Sequence, residues 1–349
     1  MKQQAKLQSG STLKEQHNHK VNFLKIVVLF KQILDFTNKH NLLNKEECII
    51  LGLSGGPDSV LLFHFLVSLH KAGTISLIAA HLNHEWRETA TRDEEFCRDL
   101  CAKEEITFVS KKLSELPTFA YNGSKEEVAR KTRRFFFEQL AEEYKADKIA
   151  LAHHAQDQQE TFFIRLLRGT SLAGLVGMKA QDGRYIRPLL EQNKADIVRY
   201  LDEQGLDYCI DETNESDSFL RNRIRKNVLP ALLNVDTRFD NSFATTLQRL
   251  RETEEYLEAQ AKQHFASLST INNDALLIDY KQLLELHPVM RYRCIVHWLC
   301  TEKVPFPPSQ AFFDELIRFL QNTKKEHQLH HMWKVIKIND YARIIKTQL

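Results

Sequence analysis

The chain has 349 residues, 43% of them apolar and 27% charged, with 48 Lys and Arg against 46 Asp and Glu. This composition excludes a disordered or fibrous protein, and the length predicts two or three structural units. Charge is unevenly spread: from Ser218 onward 19 Lys and Arg face 14 Asp and Glu, a balance that suits a docked polyanion or a solvated surface of mixed sign.

Residues 1–20, rich in Lys, Gln, Ser and His, read as a disordered tail. The apolar run from Val21 to Leu34 is interrupted by Lys25 and Lys31, so it predicts an amphipathic first helix and no membrane span. Cys48–Leu53 is a short apolar run suited to a buried parallel strand, followed by a Gly-rich turn and a helix over 58–70. Further strands are expected at 75–82, 106–111 and 148–152, with a long helix opened by a capping box at Ser124 and Glu127 and reaching about Tyr144. Strands alternating with helices predict an α/β fold, a doubly wound parallel sheet. After Tyr208 the character changes, and a mainly helical C-terminal domain is expected. Its long amphipathic helix carries Phe243, Leu247, Leu250, Leu257, Ala261 and Phe265, and it ends in a hairpin around Asn339-Asp340. The expected organisation is a tail at 1–20, an α/β domain at 21–220 and a helical domain at 221–349.

The six cysteines, Cys48, Cys97, Cys101, Cys209, Cys294 and Cys300, form no C-x-x-C pair and no zinc or disulfide framework, which fits a reducing cytoplasmic compartment. Cys97 and Cys101 fall on one helical face as buried thiols. His327, His330 and His331 read as a surface cluster, and Trp298 and Trp333 as core.

Four segments carry chemistry. Ser54-Gly55-Gly56-Pro57-Asp58-Ser59 joins a buried strand to a helix, so its backbone amides and the helix dipole form a phosphate cradle. It lacks the Gly-Lys-Ser/Thr ending of the Walker loop. Asp58 beside phosphate requires a bridging cation such as Mg²⁺. His153 stands at the carboxyl end of its strand, and Asp157 and Glu160 share a helical face just beyond it, with Phe163, Leu166 and Leu167 expected on the opposite, core-facing side. The alternative for the two acids is a solvated first turn that complements the helix dipole. Arg130, Arg133 and Arg134 form a cationic helix face that meets either water or phosphate. Asp211-Glu212-Thr213-Asn214 precedes Arg221-Asn222-Arg223-Ile224-Arg225, in which Arg221 and Arg225 sit four apart, suited to phosphates or to a capped basic helix start.

Five segments in order, SGGPDS at 54–59, HLNHEWR at 81–87, EEVARKTRRFFF at 126–137, AHHAQDQQETFFIRLLRGTSLAGLVGM at 152–178 and DETN with RNRIRKNVLP at 211–230, resemble the N-type ATP pyrophosphatases of the PP-loop type. Within that family they resemble the bacterial tRNA(Ile)-lysidine synthetases. The resemblance implies a Rossmann-like fold and a two-step ligation. ATP adenylates the wobble cytidine of a CAU-anticodon tRNA(Ile) with loss of pyrophosphate, and L-lysine then displaces AMP to give lysidine. It implies that residues 54–59 hold pyrophosphate with Asp58 at Mg²⁺, and that His153, Asp157, Glu160 and Arg133 surround ATP, lysine and the base. Arg130, Arg221, Asn222 and Arg225 would meet substrate or RNA, the C-terminal domain would grip tRNA, and a homodimer is open to the chain. Gln156 departs from a usual pair of aspartates, and Glu85-Trp86 from a usual Gly-Leu before Arg87. The alternatives are a tRNA thiolation enzyme of the same fold, which the missing C-x-x-C disfavours, and a degenerate tRNA-binding protein.

Overall fold

A computed structural model describes residues 28–85, 90–117, 125–210, 219–307 and 309–347. The expected capping residue Ser124, Trp86, Arg87 and the stretch Asp211–Asn214 lie outside them, as does the proposed tail. Two compact units divide at Thr245 and Thr246.

Unit 1 begins with helix α1 (28–39), which buries Leu29, Ile33 and Phe36. Then follow β1 (Cys48–Gly52), α2 (Pro57–Lys71), β2 (Ser76–Asn83), α3 (Ala90–Lys103), β3 (Thr107–Lys112), α4 (Lys125–Glu143), β4 (Lys148–Ala150) and α5 (Ala155–Leu167). The run continues through α6 (Leu172–Leu175), β5 (Gln181–Asp182), β6 (Tyr185–Ile186) and α7 (Lys194–Gln204). It reaches α8 (Leu220–Arg223), a π-helical turn at Ile224–Val228 and α9 (Leu229–Val235).

Among the described residues these strands form a six-stranded sheet in the order β3-β2-β1-β4-β6-β5. Strands β3, β2, β1, β4 and β6 are parallel, and β5 turns back antiparallel on β6. The expected doubly wound parallel sheet is therefore present. β1 reads as an unbroken apolar run because both its faces are covered: Ile49 and Leu51 face one cluster with α2, and Ile50 faces another with Phe136, Phe137 and Leu140 of α4. At the end of β1, a Cβ on Gly52 would stand 3.0 Å from the Phe137 ring and 3.1 Å from Leu151, so only glycine lets α4 pack this closely. Strand order reverses between β1 and β4, which places a crevice outside their carboxyl ends.

Helix α10 (Phe239–Leu268) carries the chain into unit 2 and buries Leu247, Ala261 and Leu268 along one face, as its spacing predicts. Unit 2 goes on with β7 (Ser269–Asn272), β8 (Ala275–Asp279), α11 (Tyr280–Glu285), α12 (Pro288–Thr301), α13 (Gln310–Gln321), β9 (Glu326–His330), β10 (Trp333–Ile338) and β11 (Tyr341–Lys346). The hairpin at Asn339-Asp340 is present, joining β10 to β11. It is part of more than a hairpin: a five-stranded antiparallel sheet runs in the order β7-β8-β11-β10-β9. The expectation of a mainly helical domain misses this sheet. Its first two strands are joined by Asn273-Asp274, both at positive φ, as a two-residue type I′ turn demands. Trp298 and Phe313 are fully buried in the core between this sheet and α12 and α13, while Trp333 packs at its margin.

Candidate active site

The loop between β1 and α2 braces itself. The Ser54 amide donates to Ser59 Oγ (3.2 Å), and the Ser59 hydroxyl donates to the Gly56 carbonyl (2.9 Å). Gly55 is at φ +86°, and its carbonyl accepts from the Cys209 amide at 2.9 Å. A Cβ there would lie 3.3 Å from the sulfurs of both Cys97 and Cys209. Gly56 is the N-cap of α2 without a side-chain cap, and Pro57 opens the helix. The amino end of a helix about fifteen residues long is thus left open to an anion.

The second wall follows β4. His153 ends the strand connection, and the His154 amide donates to Asp157 Oδ2 at 2.9 Å, so Asp157 caps α5 from its first turn. His154 Nε2 lies 3.7 Å from Asp58 Oδ2 and 3.6 Å from Asp157 Oδ2, linking the two walls. One helical turn further, Glu160 is fully buried and receives Arg225 Nε at 2.6 Å and stands 3.3 Å from Arg221 Nε. Glu160 is therefore the anchor that fixes α8 and the π-helical turn against α5. Arg221 and Arg225, four apart in sequence, meet one carboxylate as well as the open site. Asp240 further ties the region, accepting from Gln159 Nε2 (2.8 Å) and Asn193 Nδ2 (2.9 Å). Gln158 exchanges two hydrogen bonds with the Met178 backbone, holding the 170–178 loop to α5.

The structure thus brings Asp58, His153, Asp157, Glu160, Arg133, Arg221 and Arg225 into one region. Arg133 is half-buried on α4 while Arg130 and Arg134 are exposed, so that face is split. Arg134 stacks on the Tyr185 ring with its Cζ 4.3 Å from the centroid. Leu166 and Leu167, expected in the core, are 50% and 67% exposed. They lie in the last turn of α5, beyond the part that packs on unit 1. Two residues that sequence reasoning passes over belong to the site. Arg187, 8% exposed just after β6, donates to the Lys179 carbonyl at 2.8 Å. Lys194, the first residue of α7, donates to both Asp58 oxygens, at 2.7 and 2.6 Å. An Arg-Pro pair leaving a short strand at 187–188 is the signal that finds the first; nothing local announces the second.

Electrostatics sharpen the picture. Burial pushes the His153 imidazole down to about 4, beside Arg187, Arg133 and Arg221, so it is neutral at physiological pH. Burial alone raises Asp157, but His154, His153 and the His154 amide outweigh it and hold the carboxyl below its usual range. Burial lifts Glu160 above its usual range, opposed by Arg225 and Arg221; the two guanidinia keep the carboxylate the hydrogen-bonded form. Arg133 is pushed down by burial and by Arg130 and Arg221. Among the described residues, His153 Nδ1, Arg187 Nε and Arg221 Nε are buried with no hydrogen-bond partner. Arg221 Nε still has its ion pair with Glu160, but an orphaned buried donor costs about 1–3 kcal/mol, and Arg187 Nε in this cationic crevice fits an anionic ligand.

Among the described residues no three His, Cys, Asp or Glu side chains are arranged to enclose a metal ion. Asp58 fits instead the Mg²⁺ pattern of one carboxylate completed by substrate phosphate oxygens and water.

The class defined by this loop, sheet and crevice is the PP-loop domain: the family model matches residues 27–232, and the chain belongs to that family. Within it, the chain is 34% identical over 302 residues to the tRNA(Ile)-lysidine synthase of Bacillus subtilis, covering 84% of this chain and 64% of that protein. It is 36% identical over 274 residues to the tRNA(Ile)-lysidine synthase of Clostridioides difficile, covering 77% and 59%. The chain spans about three fifths of the length of the curated relatives it matches. Among solved structures it is similar to the U34-tRNA thiolase NcsA from Methanococcus maripaludis, with TM-score 0.58 and 18% identity over 66% of this chain and 80% of that one. At that identity the likeness establishes the fold.

Proposed function

We propose that the chain ligates L-lysine to C2 of the wobble cytidine in a CAU-anticodon tRNA(Ile), using ATP. The observation that carries this reading is the cluster of Arg133, Arg187 and Arg221 around His153, in one region with Asp157 and, through His154 at 3.7 Å from Asp58, with the first turn of α2. An anion fits the donors and a cationic amine fits the carboxylate, which is the pair of substrates a base-to-lysine ligation needs. The relatives' name, tRNA(Ile)-lysidine synthase, supports tRNA(Ile) as the substrate and lysidine as the product.

In this mechanism the backbone amides of Gly55, Gly56, Asp58 and Ser59 and the α2 dipole take the pyrophosphate end of ATP. Mg²⁺ held by Asp58 would neutralise the departing phosphates. Arg133 and Arg187 stabilise charge developing at the α-phosphate as the cytidine oxygen attacks. His153, neutral, presents one donor and one acceptor nitrogen without adding a charge that would repel the lysine ammonium. Asp157 pairs with that ammonium and orients it, and once the ammonium has given a proton to solvent the amine adds to the adenylated carbon and AMP leaves. Glu160 acts through Arg221 and Arg225, which it holds in place. The basic stretch from Ser218 onward supports docking of a polyanion such as tRNA.

The buried thiols weigh against sulfur transfer. Burial raises Cys97 and lifts Cys101 to about 12, so neither supplies the thiolate that persulfide chemistry needs. The test is mass analysis of tRNA nucleosides after incubation of the chain with ATP, Mg²⁺, CAU-anticodon tRNA(Ile) and isotope-labelled lysine. A cytidine bearing the label is expected. A sulfur-containing base, or unmodified cytidine with intact protein, overturns the reading.

A further inference from the structure

Resting on the ATP-dependent reading above, we propose that Lys194 is a cation that pairs with Asp58, yields that carboxylate to a divalent metal, and then serves the phosphates. Asp58 sits in the first turn of α2, and both its oxygens accept from one ammonium, at 2.7 and 2.6 Å. Two features make this contact exchangeable rather than structural. First, the pair is not sealed: the Lys194 and Asp58 side chains are 37% and 23% exposed, and Lys194 lines a cavity of about 720 Å³ with Gln156, Asn193 and Asp240. An ion pair this open is weak, so a divalent cation can take the carboxylate.

Second, the backbone of Lys194 is held by groups that owe nothing to its side chain. Its amide donates to Gln156 Oε1 at 2.9 Å, and Asn193 caps α7 by accepting from the Ala195 amide at 2.8 Å. Asn193 is in turn fixed to Asp240. The side chain can therefore swing on a fixed pivot. This also explains Gln156: its carbonyl oxygen is spent on the start of α7, not on a cation. A residue at 156 need only accept a hydrogen bond, and the charge balance at Asp58 is set by Lys194.

Beside a phosphate cradle a bare Asp58 carboxylate would repel the nucleotide, and Lys194 is the cation that meets both its oxygens, with His154 3.7 Å away. Were Asp58 to hold Mg²⁺, the Lys194 ammonium would be released beside the loop, where it would offset the charge of the pyrophosphate.

The test uses the full chain with Lys194→Met, Lys194→Arg and Asp58→Asn. Binding of Mn²⁺ alone to nucleotide-free protein is followed by electron paramagnetic resonance. Lys194→Met is expected to bind Mn²⁺ about fivefold tighter than the parent, the factor an open ion pair supplies as competitor, and Asp58→Asn to lose this site. In tRNA-dependent pyrophosphate release, Lys194→Met is expected to lower kcat about tenfold while also lowering the Mg²⁺ concentration for half-maximal rate; Lys194→Arg restores most of kcat. Equal Mn²⁺ affinity in Lys194→Met and parent overturns the proposal, as does an unchanged kcat. Tighter Mn²⁺ binding in Lys194→Met, in a parent protein that forms no lysidine, supports the exchange at Asp58 and overturns the lysine-ligation reading instead.

Discussion

His153 gives the most direct test of the site's electrostatics. Its imidazole is lowered from 6.5 to about 4 by burial among Arg187, Arg133 and Arg221. The sign follows from linkage: the unfolded chain takes up a proton below pH 6.5, whereas the folded site resists it until about pH 4. The neutral, folded form is therefore favoured fully above pH 6.5, and that advantage is lost as the solution is acidified. The whole gap corresponds to about 3 kcal/mol, of which about 2 kcal/mol is gone by pH 5. Asp157, whose carboxyl is held low, loses its own contribution only at lower pH, and burial also lowers His64 and His81, so the His153 contribution is the difference between parent and variant from pH 6.5 to 5. The assay is a pair of urea unfolding series at pH 7, 6 and 5, on the parent and on His153→Gln, with unit 1 followed by hydrogen exchange at β1 and β4. The parent is expected to lose about 2 kcal/mol more than the variant on going to pH 5. An NMR titration of the imidazole checks the same number directly. Parallel pH profiles for the two proteins, or an imidazole that titrates near 6.5, would falsify the assignment of His153 as a buried neutral group.

Asp157→Asn keeps an acceptor for the His154 amide and so preserves the start of α5, but removes the charge for the lysine amine; ligation is expected to fall about 10²–10³-fold with unfolding unchanged, and near-normal turnover in labelled-lysine transfer removes Asp157 from the chemistry. Gly55→Ala places a side chain at φ +86° against two sulfurs 3.3 Å away, so a loss of about 1–3 kcal/mol is expected in chemical denaturation, together with loss of pyrophosphate release; a stable, active variant refutes the strained-loop account. Removing one partner of a buried pair costs about 3–5 kcal/mol, but Arg225 is 39% exposed, so Arg225→Met is expected to cost about 1–2 kcal/mol after solvent screening. Adding Glu160→Gln to that variant should recover part of the loss, because no unpaired carboxylate remains; strict additivity of the two changes would mean that the residues do not act as a pair.

Much of unit 1 is legible in the chain because parallel strands covered on both faces must be apolar runs, and Cys48–Gly52, Ser76–Asn83 and Lys148–Ala150 are. The loop after β1 is legible for a related reason, since Gly-Gly before Pro-Asp has few other uses at a strand-to-helix junction. The two-residue strands at 181–182 and 185–186 leave no periodicity to read. The C-terminal sheet is missed because its outer strands, such as Ser269–Asn272, are largely exposed and carry little apolar alternation. Lys194 is invisible for another reason: its partner Asp58 lies 136 positions earlier, and a lysine at a helix start looks like any solvated residue until the sheet brings α2 and α7 together. Arg187 is easier to find, since an Arg-Pro pair marks where the chain leaves a short strand.

The distribution of opposite charges then explains why the site contains so many arginines beside so few acids. Glu160 is consumed by Arg221 and Arg225, and Asp58 by Lys194, so these pairs shape the crevice without setting its net sign. What remains is Arg133 and Arg187, both pushed down by burial, against Asp157 and, beside Arg187, Asp182. A buried guanidinium with its charged form disfavoured is stabilised by any anion that reaches it, and most by one that accepts several donors at once. On the proposed reading a polyphosphate removes this local electrostatic deficit on binding, and Asp157 offers the amine a carboxylate apart from the arginines, so that the anion and the amine do not compete for the same groups.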